Sequence, residues 1–146
     1  MKLTALLGRI LLGALMALSL PPFGLWVLAP LAIGAYLKYS RDASYRRQFT
    51  NAFALWVGYF AAGLTWMTEL TVAGWLAAIP VQALIMALPM AFVPSTGLGR
   101  AVGVPAALVV GETTRWVIPF GGVPMSSLAM GPIDTYLVDV VRISGP

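Results

Sequence analysis

Long apolar stretches, separated by short charged or proline-rich breaks, decide what this chain can become. A helix needs roughly 20 mostly apolar residues to cross about 30 Å of hydrocarbon. The sequence offers five such segments, at about residues 3–20, 23–39, 49–67, 72–93 and 98–119. Pro21-Pro22 closes the first, Pro30 falls in the second, and Pro80 and Pro89 fall in the fourth. Proline and glycine are commoner in membrane helices than in soluble ones, so they do not argue against helices. Composition matters at this point: of 146 residues 60% are hydrophobic and 10% charged, and the mean hydropathy is +0.88. A soluble domain carries about 25% charged residues, and a small one has too little interior to hide so much apolar side chain. The expected fold is an all-α membrane protein, a bundle of about five transmembrane helices over residues 1–119. Residues 120–146 are expected to form an outer-face loop and a short amphipathic helix that leads towards a further span not contained in the sequence.

The charges set the orientation. With the N-terminus cytoplasmic, Lys2, Arg9, Lys38, Arg41, Arg46, Arg47 and Arg100 lie inside, and Arg115 and Arg142 outside. That bias follows the positive-inside rule and is carried mainly by the loop KYSRDASYRRQ. The net charge of +4 is thus a topology signal, and no nucleic-acid partner is expected. The start MKLTALLGR has the basic beginning of a signal peptide, but Arg9 interrupts the apolar region and no A-x-A-like cleavage site follows. The segment is expected to be retained.

Cysteine and histidine are both absent. That excludes thiol nucleophiles, disulfides, thiolate or imidazole metal sites and the commonest general base. The acids Asp42, Glu69, Glu112, Asp134 and Asp139 are scattered, so no carboxylate metal cage is expected. The chain predicts no catalytic residue, no metal and no cofactor.

Smaller signals refine the picture. Ala54, Gly58 and Ala62 recur at four-residue spacing, which lets helix backbones approach closely in lipid. Trp26, Trp56, Trp66, Trp75 and Trp116 fall mostly near the ends of segments, where indoles anchor at the headgroup level. In IDTYLVDVVR, Ile133, Tyr136, Leu137, Val140 and Val141 follow a helical i, i+3, i+4, i+7, i+8 pattern. Pro132, Asp134 and Arg142 suit its first position, first turn and last turn. This helix is expected at the outer membrane–water boundary.

GETTRWVIPFGGVPM carries the candidate site. If the fifth segment enters hydrocarbon near Arg100, Glu112 lies roughly 18 Å deeper at 1.5 Å per residue. Glu112 and Arg115, at i and i+3, share one helix face and are placed to pair. Two readings stay open. The pair is either an internal ion pair that lets the helix end in the interface, or a binding site in which Arg115 grips a phosphate and Glu112 orients it.

Three ordered stretches resemble the membrane part of the apolipoprotein N-acyltransferase family: LSLPPFGLWVLAPLAI (18–33), NAFALWVGYFAAGLTWM (51–67) and PAALVVGETTRWVIPFGGVPMSSLAMGP (105–132). In that resemblance Glu112 and Arg115 take the family's E-x-x-R positions and Gly122-Val123-Pro124 its G-x-P, while Met125 stands where the family has Trp. The resemblance implies a multi-pass protein of the bacterial inner membrane. It also implies transfer of an acyl chain from a phospholipid donor to the N-terminal amine of a diacylglyceryl lipoprotein. The family performs that reaction through a Cys thioester, assisted by Glu and Lys, in a nitrilase-like domain on the outer face. This chain contains no Cys, so it is expected to be the N-terminal membrane portion, inactive alone. A second reading is a non-enzymatic scaffold docking a membrane partner, such as a polyprenol-phosphate mannose synthase, through the small-residue face. A third is a small transporter or channel, for which Glu69, Gln82 and Glu112 are the few expected buried polar groups.

Overall fold

The computed structural model describes residues 3–119, 121, 122, 125–132, 135 and 139. Five α-helices account for most of them: α1 Leu3–Met16, α2 Leu28–Tyr39, α3 Tyr45–Gly63, α4 Val72–Ala91 and α5 Leu98–Arg115. Short 3-10 turns cover Ala17–Ser19, Thr65–Glu69 and Leu128–Met130. No strand occurs among the described residues. The helices coincide with the five apolar segments, but their lengths qualify the expectation of five spans. Among the described residues, only α4 is both long and apolar enough to cross a membrane. α1 has 14 residues and rises about 21 Å at 1.5 Å per residue. α2, with 12 residues, is shorter still, because residues 20–27 form turns after Pro21-Pro22. α3 begins in the basic loop at Tyr45 and stops at Gly63. α5 has Arg100, Glu112 and Arg115 within its length. The expected amphipathic helix at residues 133–142 lies outside the described residues, apart from Thr135 and Asp139.

α3 is the hub. It lies between α1 and α4, with α5 beyond α4 and α2 alongside α1. Its buried side holds Asn51, Ala52, Leu55, Trp56, Tyr59 and Phe60. The approach of α1 to α3 is closest where two glycines alternate. A Cβ on Gly13 would collide with the Leu55 carbonyl, and one on Gly58 with the Ile10 carbonyl. Gly58 therefore does what its small-residue spacing predicts, and its partner is α1. Ala54 is buried beside it, whereas Ala62 faces outward.

Contacts between helix ends show that successive helices alternate in direction. At one end, Arg100 at the start of α5 donates to Leu37 O near the end of α2 (3.3 Å) and to Gln48 Oε1 near the start of α3 (3.0 Å). Gln48 Nε2 in turn donates to Val93 O just past α4 (3.3 Å). At the other end, Trp75 Nε1 near the start of α4 donates to Ala61 O near the end of α3 (3.3 Å). Ser126 Oγ there donates to Gly63 O (2.9 Å).

The core is apolar, yet several long polar side chains are buried with it and many leucines face outward. Arg9, Gln48, Asn51, Gln82, Arg100 and Arg115 are buried. Leu3, Leu7, Leu11 and Leu15 form an outward stripe on α1, each at least half exposed, and Leu76, Leu84 and Leu88 extend the apolar exterior on α4. Trp56 departs from the expected interfacial placement. It is fully buried in the middle of α3, stacked on Phe60 with centroids 5.8 Å apart, and its Nε1 donates to Met90 Sδ at 3.1 Å. Trp66 and Trp116 are exposed near helix ends, as anchoring predicts.

Candidate functional site

The α5 backbone delivers Glu112 and Arg115 to the end of the bundle marked by Gly63 and Trp75. Gly111, one residue earlier, lets α5 close on α4, since a Cβ there would meet Met86 Sδ at 2.7 Å. Arg115 is 0% exposed and the guanidinium is fastened on several sides. Nε donates to Gln82 Oε1 of α4 at 2.6 Å, and Nη1 donates to Glu112 Oε1 and Oε2 at 3.2 and 3.1 Å. Nη2 donates to the carbonyl of Met125. The Phe60 ring centroid lies 4.7 Å from the guanidinium carbon, a cation–π distance. The structure thus brings Glu112 and Arg115 together and adds acceptors that their sequence spacing does not reveal.

The same cluster fixes the segment after α5. Glu112 Oε1 accepts from Leu128 N at 3.4 Å, and Tyr59 Oη donates to Ser126 O at 3.0 Å. Ser126 holds a left-handed φ of 55°, a conformation that costs a non-glycine residue free energy and persists only where neighbours enforce it. Gly122 has φ 112°, and a Cβ there would collide with the Trp116 carbonyl. Its glycine is required by both conformation and space. Val123 and Pro124 lie outside the described residues. Met125 meets Arg115 through its backbone carbonyl, a hydrogen bond that does not depend on which side chain stands at this position.

Beside this clamp runs a cleft of about 530 Å³ between α5 and the segment at residues 127–129. Its wall is mostly apolar, from Pro105, Leu108, Val109, Trp116 and Leu128, with Glu112, Thr113 and Ser127 as polar points. The Glu112 side chain is 18% exposed. With the Arg115 donors committed to protein acceptors, the carboxylate edge is the charged group that faces the cleft. Sequence reasoning singled out Gln82 as a buried polar group but did not link it to Arg115, because the two meet only through packing of α4 on α5. It also used Arg9 and Arg100 only as inner-side charges that set orientation, whereas they are 8% and 6% exposed.

Residues 12–146 match the family model described as the apolipoprotein N-acyltransferase N-terminal domain, and the chain belongs to that family. An apolipoprotein N-acyltransferase of Shewanella oneidensis is 34% identical over 96 residues, a stretch that makes up 62% of this chain and 18% of that relative. The chain therefore spans less than a fifth of the relative's length. Neither comparison lends support to the scaffold reading, since both carry the name of an acyltransferase.

Proposed function

We propose that this chain is the N-terminal membrane portion of an apolipoprotein N-acyltransferase and holds lipid beneath a catalytic region that it does not itself contain. Residues 1–119 form a bundle whose five helices all lie within the bacterial inner membrane, N-terminus cytoplasmic. Residues 120–146 form the outer-face segment that leads to further helices. Family membership supports the reading, as do the outward leucines and the buried cations, since leucines facing outward gain nothing in water and cations facing inward need protein partners. Helices of 12 to 14 residues fit such a bundle when flanking turns and locally thinned lipid make up the remaining depth.

The observation that carries the functional part is the apolar cleft with the Glu112 carboxylate at its edge. An acyl chain lies along Leu108, Val109 and Leu128, and a headgroup donor bonds Glu112. Arg115 orients that carboxylate from behind, the reverse of a direct grip on phosphate. The whole enzyme's reaction, acyl transfer from phospholipid to lipoprotein, takes place in the part of the protein beyond this chain.

A photoactivatable phospholipid in nanodiscs tests the cleft. Crosslinks are expected to concentrate on peptides from residues 105–116 and 127–129, and Leu108→Trp, which fills the cleft, is expected to reduce them several-fold while Leu84→Trp on α4 does not. Even labelling over all outward leucines would sink the lipid-holding role. Topology is tested separately, because a chain without cysteine accepts single-cysteine labelling. A membrane-impermeant maleimide is expected to reach Glu69→Cys in spheroplasts, and Thr96→Cys only after lysis. The opposite pattern overturns the orientation.

A further inference from the structure

A second cleft, of about 670 Å³, opens at the opposite end of the bundle, where α1 and α3 both begin. Its lining includes Arg9, Arg46 and Arg47, with Thr4, Ser44 and Thr50, and no Asp or Glu among the described residues. Three guanidinium groups that share a cleft without a carboxylate repel one another unless an anion is present. The helix geometry adds to the attraction. The first-turn N–H groups of α3 have no partner within the helix, and the Ser44 side chain makes no capping hydrogen bond to them. The N-terminus of this 19-residue helix thus presents free donors and the positive end of its dipole to the same space.

Arg9 is the member that points to a ligand. It is more than nine-tenths buried, it lines the cleft, and its Nε has no hydrogen-bond partner. Nη1 is turned back to the Ala5 carbonyl at 2.5 Å, and the guanidinium carbon stands 4.8 Å from the Tyr39 ring centroid. The ring and the carbonyl hold the guanidinium in a fixed orientation but neither neutralises its charge.

We infer that this cleft is a binding site for a phosphate anion, formed by Arg9, Arg46, Arg47 and the N-terminus of α3 and distinct from the cleft beside Glu112. Arginine suits such a ligand because its planar fork donates two parallel hydrogen bonds to phosphate oxygens. Two sources share that chemistry: the headgroup of an anionic phospholipid, and free inorganic phosphate. The site does not depend on the lipid-holding role at the other end, and its test leaves that role untouched.

The test uses the purified chain in neutral detergent, titrated with phosphatidylglycerol, phosphatidylcholine or inorganic phosphate and followed by native mass spectrometry. Phosphatidylglycerol is expected to be retained about tenfold better than phosphatidylcholine, and R46Q/R47Q to remove that preference. Arg46 and Arg47 are exposed, so the double variant remains informative if Arg9→Gln fails to fold. Binding of phosphate in the absence of lipid, with displacement of phosphatidylglycerol, assigns the site to the free anion. Retention of phosphatidylglycerol that phosphate does not displace assigns it to the lipid headgroup. Equal retention of both lipids with no phosphate binding overturns the site. So does an equal loss in K38Q/R41Q, which removes basic charge outside this cleft and would reveal diffuse surface attraction only.

Discussion

Arg115 has no access to water, so its N–H donors must find acceptors within the protein or lose the hydrogen bonds they make in the unfolded chain. Gln82, Glu112 and the Met125 carbonyl supply those acceptors. Removing one partner of a buried pair leaves the other charge or dipole stranded, at a cost of about 3–5 kcal/mol for well-buried pairs. Arg115→Met is accordingly expected to destabilise the chain strongly in detergent, by lower thermal midpoint. The double change E112Q/R115M is expected to recover part of that loss, with a coupling of about 0.5–3 kcal/mol. Strict additivity of the two single changes would mean that the pair is incidental. The pairing of Glu112 with Arg115 was legible in the sequence because it is local, three residues along one helix. Gln82 and Phe60 were not, because nothing in a linear pattern says that α3 and α4 present these two side chains to the end of α5.

At the scale of the elements, the contact between α1 and α3 depends on the absence of side chains. Gly58→Ala places a methyl against the Ile10 carbonyl, and backbone cannot step aside as a flexible side chain can. The change is expected to cost about 1–3 kcal/mol, the usual range for overpacking. Gly8→Ala, on the same α1 helix, meets nothing within 4 Å and is expected to stabilise by about 0.5–1 kcal/mol through helix propensity. Paired chemical or thermal unfolding of the two variants checks the contrast, and a similar shift in both would refute the close approach. Hydropathy located all five helices, since each needs an apolar run. It misplaced their ends where turns compete: α2 starts five residues after the expected residue 23, at Leu28, and α3 starts at Tyr45, ahead of the expected residue 49. Apolar periodicity has no means of reporting a helix that begins among arginines.

For the molecule as a whole, the apolar exterior separates two solvents. Leu11 is 64% exposed near the middle of α1. If lipid surrounds the bundle, Leu11→Lys costs about 2.5–3.5 kcal/mol of insertion free energy, and the variant is expected to be lost from the carbonate-resistant membrane fraction. If water surrounds it, the same change is harmless and improves solubility. Charge counting over loops gave an orientation for the chain, but it could not tell which cations face outward. Arg9 and Arg100 were counted only as cytoplasmic-side charges and are buried in the protein: Arg9 folds back to the Ala5 carbonyl of its own helix against the Tyr39 ring, and Arg100 reaches acceptors on α2 and α3 that composition does not register.

Arg100 and Arg115 sit at opposite ends of a single helix, and each reaches a glutamine on a different neighbour, Gln48 on α3 and Gln82 on α4. During biogenesis those two amide oxygens cannot meet these guanidinium groups until the fifth helix has arrived. Insertion of α5 is then the event that ties α2, α3 and α4 together, and a nascent chain stalled before it lacks both of these ties.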